Sequence, residues 1–179
     1  SSDVCSFVLT KKIMKRLFLI GYMGCGKTTT GKRIAKKYGL DFIDLDQYIE
    51  MRFFKTVSQL FKEKGEDEFR KMERSMLVEI SEFEDVVIST GGGAACFFDN
   101  MDKMNSCGDT IYLKASAEDL FSYLRKAKQD RPLLRDKTDE EMLAYIKDSL
   151  SKREPFYSKA KYVMDSRDDT DVLFDKLLR

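Results

Sequence analysis

The chain contains no histidine, only two prolines, and four cysteines among 179 residues. Without histidine there is no Ser-His-Asp or Cys-His nucleophilic pair and no conventional His-based zinc site. Cys5, Cys25, Cys96 and Cys107 lie far apart and form no C-x-x-C pair, the usage of reduced thiols in a cytosolic enzyme, so a cytoplasmic location is expected. Charge of one sign is also lacking. Lys+Arg (32) against Asp+Glu (31) leaves +1, which gives no net field toward nucleic acid or an anionic membrane. Anions must then be held by locally placed Arg and Lys. No run approaches the roughly 18 apolar residues of a membrane span. In 1–13 the short apolar patch Phe7–Leu9 precedes Lys11 and Lys12, the reverse order of a signal peptide. These residues are expected to be disordered, either a leader or residues added ahead of a natural start at Met14. A Gly/Ser linker, an internal repeat and a low-complexity tract are all missing, so 14–179 reads as one domain.

What is present is alternation. Leu17–Ile20 is a buried-strand signal ending at Gly21, and Lys27–Tyr38 is a helix stopped by Gly39. Asp41–Asp46 reads as a second strand delivering carboxylates at its end, followed by a helix over Gln47–Phe54. Thr56-Val-Ser-Gln59 has the form of a capping box, opening a helix that Gly65 ends. Phe69, Met72, Met76, Ile80 and Phe83 recur at helical spacing. Further strands are expected at Val86–Thr90, Thr110–Leu113 and Lys161–Asp165. Ser116 and Thr138 open helices, and the last helix covers Val172–Leu178. The pattern predicts an α/β fold, a parallel sheet of about five strands between helical layers, with ligands outside the carboxyl ends of the strands.

At the end of the first strand, Gly21-Tyr-Met-Gly24-Cys25-Gly26-Lys27-Thr28 fits G-x-x-x-x-G-K-[ST], in the strand-to-helix setting that gives the motif its meaning. Glycines let the backbone close around phosphates at the positive end of a helix. Lys27 supplies a charge for the β- and γ-phosphates, and the Thr28 hydroxyl a ligand for Mg²⁺. A Rossmann reading fails because Thr29 stands where G-x-G-x-x-G needs its third glycine. N-K-x-D and D-x-x-G, the marks of a switch GTPase, are absent. The remaining polar set is Asp44-x-Asp46, Phe69-Arg70, Gly91-Gly92-Gly93, Arg131-Pro132 and Arg153. It supplies carboxylates for a hydroxyl and guanidinium forks for an anion. The acceptor it describes is small, polar and negatively charged.

In its motifs and their order the chain resembles the shikimate kinases, P-loop enzymes of the nucleoside-monophosphate-kinase-like group. The motifs are G-x-x-G-x-G-K-T, D-x-D, G-E-x-x-F-R-x-x-E (Gly65–Glu73), T-G-G-G (Thr90–Gly93), R-P-L-L (Arg131–Leu134) and R-x-x-x-Y (Arg153–Tyr157). The resemblance implies a three-layer αβα kinase that phosphorylates the 3-hydroxyl of shikimate with ATP and Mg²⁺, in aromatic amino-acid biosynthesis, and acts as a monomer. It makes Lys27, Asp46 and Arg131 catalytic. The loop residues Gly21, Gly24, Cys25, Gly26, Lys27, Thr28 and Thr29, with Arg125 and Arg131, fall to the nucleotide, Arg125 against adenine. Asp46, Phe69, Arg70, Gly91, Gly92, Gly93 and Arg153 fall to shikimate, whose carboxylate Arg70 and Arg153 clamp. Glu73 orients Arg70 or a hydroxyl, and Val57, Phe61 and Phe69 wall the pocket. Asp44 reaches Mg²⁺ through water, and the charged segment 126–137 is the lid. Each residue also has a plainer reading: Asp46 a helix cap, Arg70 and Glu73 a surface ion pair, Gly91–Gly93 a flexible turn. A related small-metabolite kinase, or an inactive binding protein of the same fold, are the alternatives.

Overall fold

All five residues of β1, Arg16–Ile20, are buried, as expected for a central strand of an α/β sheet. The computed structural model describes residues 14–127, 134, 136–165, 167, 168 and 171–179. Along these run α1 (Lys27–Tyr38), β2 (Asp41–Asp44), α2 (Leu45–Phe53), α3 (Val57–Lys64), α4 (Glu66–Ile80) and β3 (Val86–Ser89). A 3₁₀ turn, Ala94–Cys96, leads to α5 (Asn100–Cys107), β4 (Asp109–Lys114), α6 (Ala117–Lys126), α7 (Asp139–Tyr157), β5 (Tyr162–Asp165) and α8 (Val172–Leu178). The strands form one parallel sheet in the order β2-β3-β1-β4-β5. The chain fills one side of β1 with β2 and β3, then the other with β4 and β5. Where the order reverses, the loops diverge and leave a crevice beyond β1. Register completes the placement: Asp44 pairs with Ser89 and Ser89 with Leu19, so the ends of β2, β3 and β1 lie level.

Local chemistry explains most boundaries. Thr56 and Gln59 make both bonds of the capping box at α3, and Ser116 and Thr138 cap α6 and α7 through their hydroxyls. Gly39 ends α1 in the left-handed conformation. Three expectations change. The second strand stops at Asp44, whose carboxylate accepts from the Gln47 amide at 3.1 Å and caps α2. Asp46 therefore sits in the first turn of a helix rather than at a strand end, and the cap is Asp44. Phe83 falls beyond the end of α4 and is 38% exposed, so the apolar stripe stops at Ile80. The 3₁₀ turn and α5 follow the glycine run where no element was expected. Residues 1–13, and the expected lid apart from 126, 127, 134, 136 and 137, lie outside the described residues.

Candidate active site

Between the loop after β1 and the ends of β2 and β3 is a cavity of about 270 Å³ lined by Gly24, Gly26, Lys27, Thr28, Asp44, Asp46, Thr90, Gly91 and Gly92, among others. Two glycines show why the loop has its composition. Gly26 has φ 92 at the entrance to α1, a conformation that costs an L-residue roughly 1 kcal/mol or more. A Cβ on Gly21 would lie 2.8 Å from both Cys25 Sγ and the Leu113 carbonyl oxygen. Lys27 is buried and donates to the carbonyls of Gly21 (2.6 Å) and Tyr22 (2.9 Å), so its ammonium braces the loop it belongs to. Cys25 is buried as well, its sulfur 3.7 Å from Lys27 Nζ. Thr28 and Thr29 are exposed on the cavity wall.

Thr28 Oγ1 and Asp44 Oδ2 stand 3.4 Å apart across the cavity. A hydroxyl and a carboxylate at such a spacing suit a hard cation that takes its other ligands from phosphates and water, as Mg²⁺ does. Deeper in, Asp46 is pushed up to about 6, first by burial and then by the neighbouring Asp44 charge, with Lys27 opposing. A Cβ on Gly91 would come within 3.0 Å of Asp46 Oδ1. The glycine run thus admits the carboxylate close against its backbone.

The same run receives both arginines. A Cβ on Gly92 would lie 3.1 Å from Arg153 Nη1, and one on Gly93 2.6 Å from Arg70 Nη2. None of these three glycines has a positive φ; they are small because charged groups press on them. Tyr157 donates to the Gly92 carbonyl, and Arg153 lies over the Tyr22 ring at 5.1 Å. Arg70 Nη1 pairs with Glu73 at 3.0 Å, and Glu73 is 1% exposed. Burial pushes Glu73 up to about 7 in spite of that guanidinium. A pair this enclosed is no surface ion pair. Phe69 is buried with its ring 4.3 Å from that of Phe61, and Val57 is half-buried against the same core.

The structure thus brings together the loop, Asp44, Asp46, Arg70, Glu73, Gly91–Gly93 and Arg153. It does not bring Arg125 to the cavity: that guanidinium is 62% exposed and pairs with Asp139 at 3.4 Å. Tyr123, two positions earlier on α6, lines the cavity instead, and a Cβ on Gly24 would lie 2.8 Å from its ring. Nothing in an isolated tyrosine of an amphipathic helix signals that role. Met23, Gln47, Ser89 and Thr90 also line the space, the last anchored to the Leu19 carbonyl by its hydroxyl at 2.9 Å. Arg131 lies outside the described residues.

A phosphate loop beside two arginines and the half-buried Asp46 carboxylate suits a phosphate donor joined to an anionic acceptor. A family model for shikimate kinase matches residues 23–179. The chain belongs to the shikimate kinase family. The shikimate kinase of Phocaeicola vulgatus is 62% identical over 150 residues, 84% of this chain and 86% of that protein. That of Parabacteroides distasonis is 59% identical over 153 residues, 86% of this chain and 88% of the relative. The shikimate kinase structure from Bacteroides thetaiotaomicron, 53% identical, superposes with a TM-score of 0.85 over 90% of this chain and 92% of that one. The structure from Acinetobacter baumannii, solved in complex with shikimate, is 28% identical with a TM-score of 0.80, covering 93% and 96%.

Proposed function

We propose the following division of labour for the reaction of this family, the ATP-dependent phosphorylation of shikimate in aromatic amino-acid biosynthesis. The acceptor is held by its carboxylate between Arg70 and Arg153, each able to present a planar fork. The ring then lies along Gly91–Gly93 with its 3-hydroxyl toward Asp46. Ionised Asp46 accepts a hydrogen bond from that hydroxyl and takes its proton as the new P–O bond forms and the bond from the γ-phosphorus to the β,γ-bridging oxygen breaks, leaving ADP. Lys27 exchanges its loop carbonyls for phosphate oxygens, and the amides at the head of α1 hold the rest of the triphosphate. Thr28 and Asp44 would hold Mg²⁺, which would neutralise charge on the phosphates.

The observation that carries this reading is the contact of Asp46, Arg153 and Arg70 with three consecutive glycines beside the phosphate loop. Phosphoryl transfer has a loose transition state, so alignment across that run contributes more than proton removal. A coupled ADP-release assay with shikimate, gluconate and nucleoside monophosphates tests it. Turnover is expected with shikimate alone, and equal rates on the others would defeat the reading.

A further inference from the structure

The Arg70 guanidinium is enclosed by three phenylalanine rings, with Cζ 4.2 Å from the centroid of Phe97, 5.4 Å from Phe61 and 5.5 Å from Phe69. Phe61 and Phe69 pack on each other within the α3–α4 layer, Phe69 buried in the core and half-buried Phe61 against it. Phe97 is of another kind. It is the nearest of the three and arrives from the turn that follows Gly91–Gly93.

That turn is built to hold it. Fully buried Asn100 donates from Nδ2 to the Ala94 carbonyl at 2.7 Å and accepts from Arg74 at 2.8 Å. Arg74 pairs in turn with Asp99 at 2.9 Å, and the Asn100 amide closes onto the Phe97 carbonyl at 3.2 Å. Phe98 takes φ 51, a left-handed conformation that a bulky side chain adopts only when its surroundings impose it. Through that reversal two consecutive phenylalanines part company. Phe97 covers Arg70, while Phe98 is 59% exposed.

The hydrogen bonds of Arg70 do not define its plane. Nη1 is tied to Glu73 at 3.0 Å, Nη2 has the longer 3.6 Å contact with exposed Glu66, and Nε is buried without a hydrogen bond. A guanidinium tied at one nitrogen can still tilt about that bond. A ring face 4.2 Å from the guanidinium carbon opposes the tilt, and the attraction is strongest where water is excluded.

We propose that Phe97 is a positioning residue of the acceptor site, its ring fixing the plane in which Arg70 meets the acceptor carboxylate. The inference rests on the reading that Arg70 grips that carboxylate. Its test is steady-state kinetics and melting temperature for Phe97→Leu, Phe97→Tyr, Arg70→Lys and the Phe97→Leu/Arg70→Lys double variant. Phe97→Leu is expected to raise the KM for shikimate about five- to tenfold, with the KM for ATP unchanged. Phe97→Tyr restores it. In the double variant the loss of the ring adds nothing to the lysine effect, because an ammonium has no plane to fix. An unchanged shikimate KM in Phe97→Leu beside a raised one in Arg70→Lys would overturn the role of Phe97 and leave the clamp standing. An unchanged KM in Arg70→Lys would remove the clamp itself. Additive effects in the double variant, or both KM values rising with a lost melting temperature, would reduce Phe97 to ordinary packing.

Discussion

The proposed donor and acceptor halves of the site are built on opposite principles. On the donor side one unbroken stretch, Gly21–Thr28, supplies backbone, ammonium and hydroxyl, and its glycines answer to backbone conformation, with positive φ at Gly21, Gly24 and Gly26. The acceptor side is assembled from α2, α4, the segment after β3 and α7, and its glycines have ordinary φ values but charged side chains against them. One half is a property of a segment, the other of a packing arrangement. The donor half should therefore fail through the loop's own geometry, and the acceptor half through the loss of any one neighbour.

The sharpest break is at the loop. Lys27→Ala should lower turnover by about a hundred- to a thousandfold, read as ADP release at saturating substrates, because it removes both the phosphate charge and the brace on Gly21 and Tyr22. Asp46→Asn comes next, with an expected loss of about a hundredfold or more in kcat while ATP binding by titration calorimetry is kept. The same variant should melt higher. Burial raises the Asp46 pKa to about 6, so the folded state holds a proton that the unfolded chain releases near 4; stability is greatest below that and falls as pH rises through 6. An asparagine carries no such penalty, and the gain in melting temperature should vanish near pH 4. For the active enzyme the same titration predicts kcat/KM for shikimate rising with pH through about 6.

Two smaller effects separate the halves. Gly26→Ala, at φ 92, should raise the KM for ATP, whereas Gly93→Ala should raise that for shikimate several-fold by displacing Arg70, each leaving the other constant unmoved. Both KM values shifting in both variants would erase the distinction. The smallest effect is Glu73→Gln, which keeps a hydrogen bond to Arg70. Since Glu73 is held at about 7 by burial, the glutamine should be more stable above pH 7 and equal near pH 4 by thermal melts.

Much of the fold, and nearly all of the donor half, is legible in the order of residues along the chain. Capping at Thr56, Ser116 and Thr138, the stop at Gly39 and the setting of the phosphate loop depend on residues three or four apart, where spacing alone carries the physics. Asp44 and Asp46 are harder. Two alternating acids suit a strand end and a helix start equally well, and the Gln47 amide bond to Asp44 decides in favour of the helix. Arg125 and Tyr123 lie on one amphipathic helix, and only the packing of α6 over the loop puts the tyrosine at the cavity.

By itself the sequence predicted a phosphate loop after β1 and a parallel sheet, and it carries arginines and acids suited to an anionic acceptor. Tertiary structure alone decided that Asp46, Arg153 and Arg70 converge on three successive glycines, that Glu73 is a buried acid and no surface partner, and that Phe97 roofs Arg70. The reason is range. Backbone conformation and helix capping are set within a few residues, while burial and the meeting of charges from four segments exist only once the sheet order has brought them to one edge.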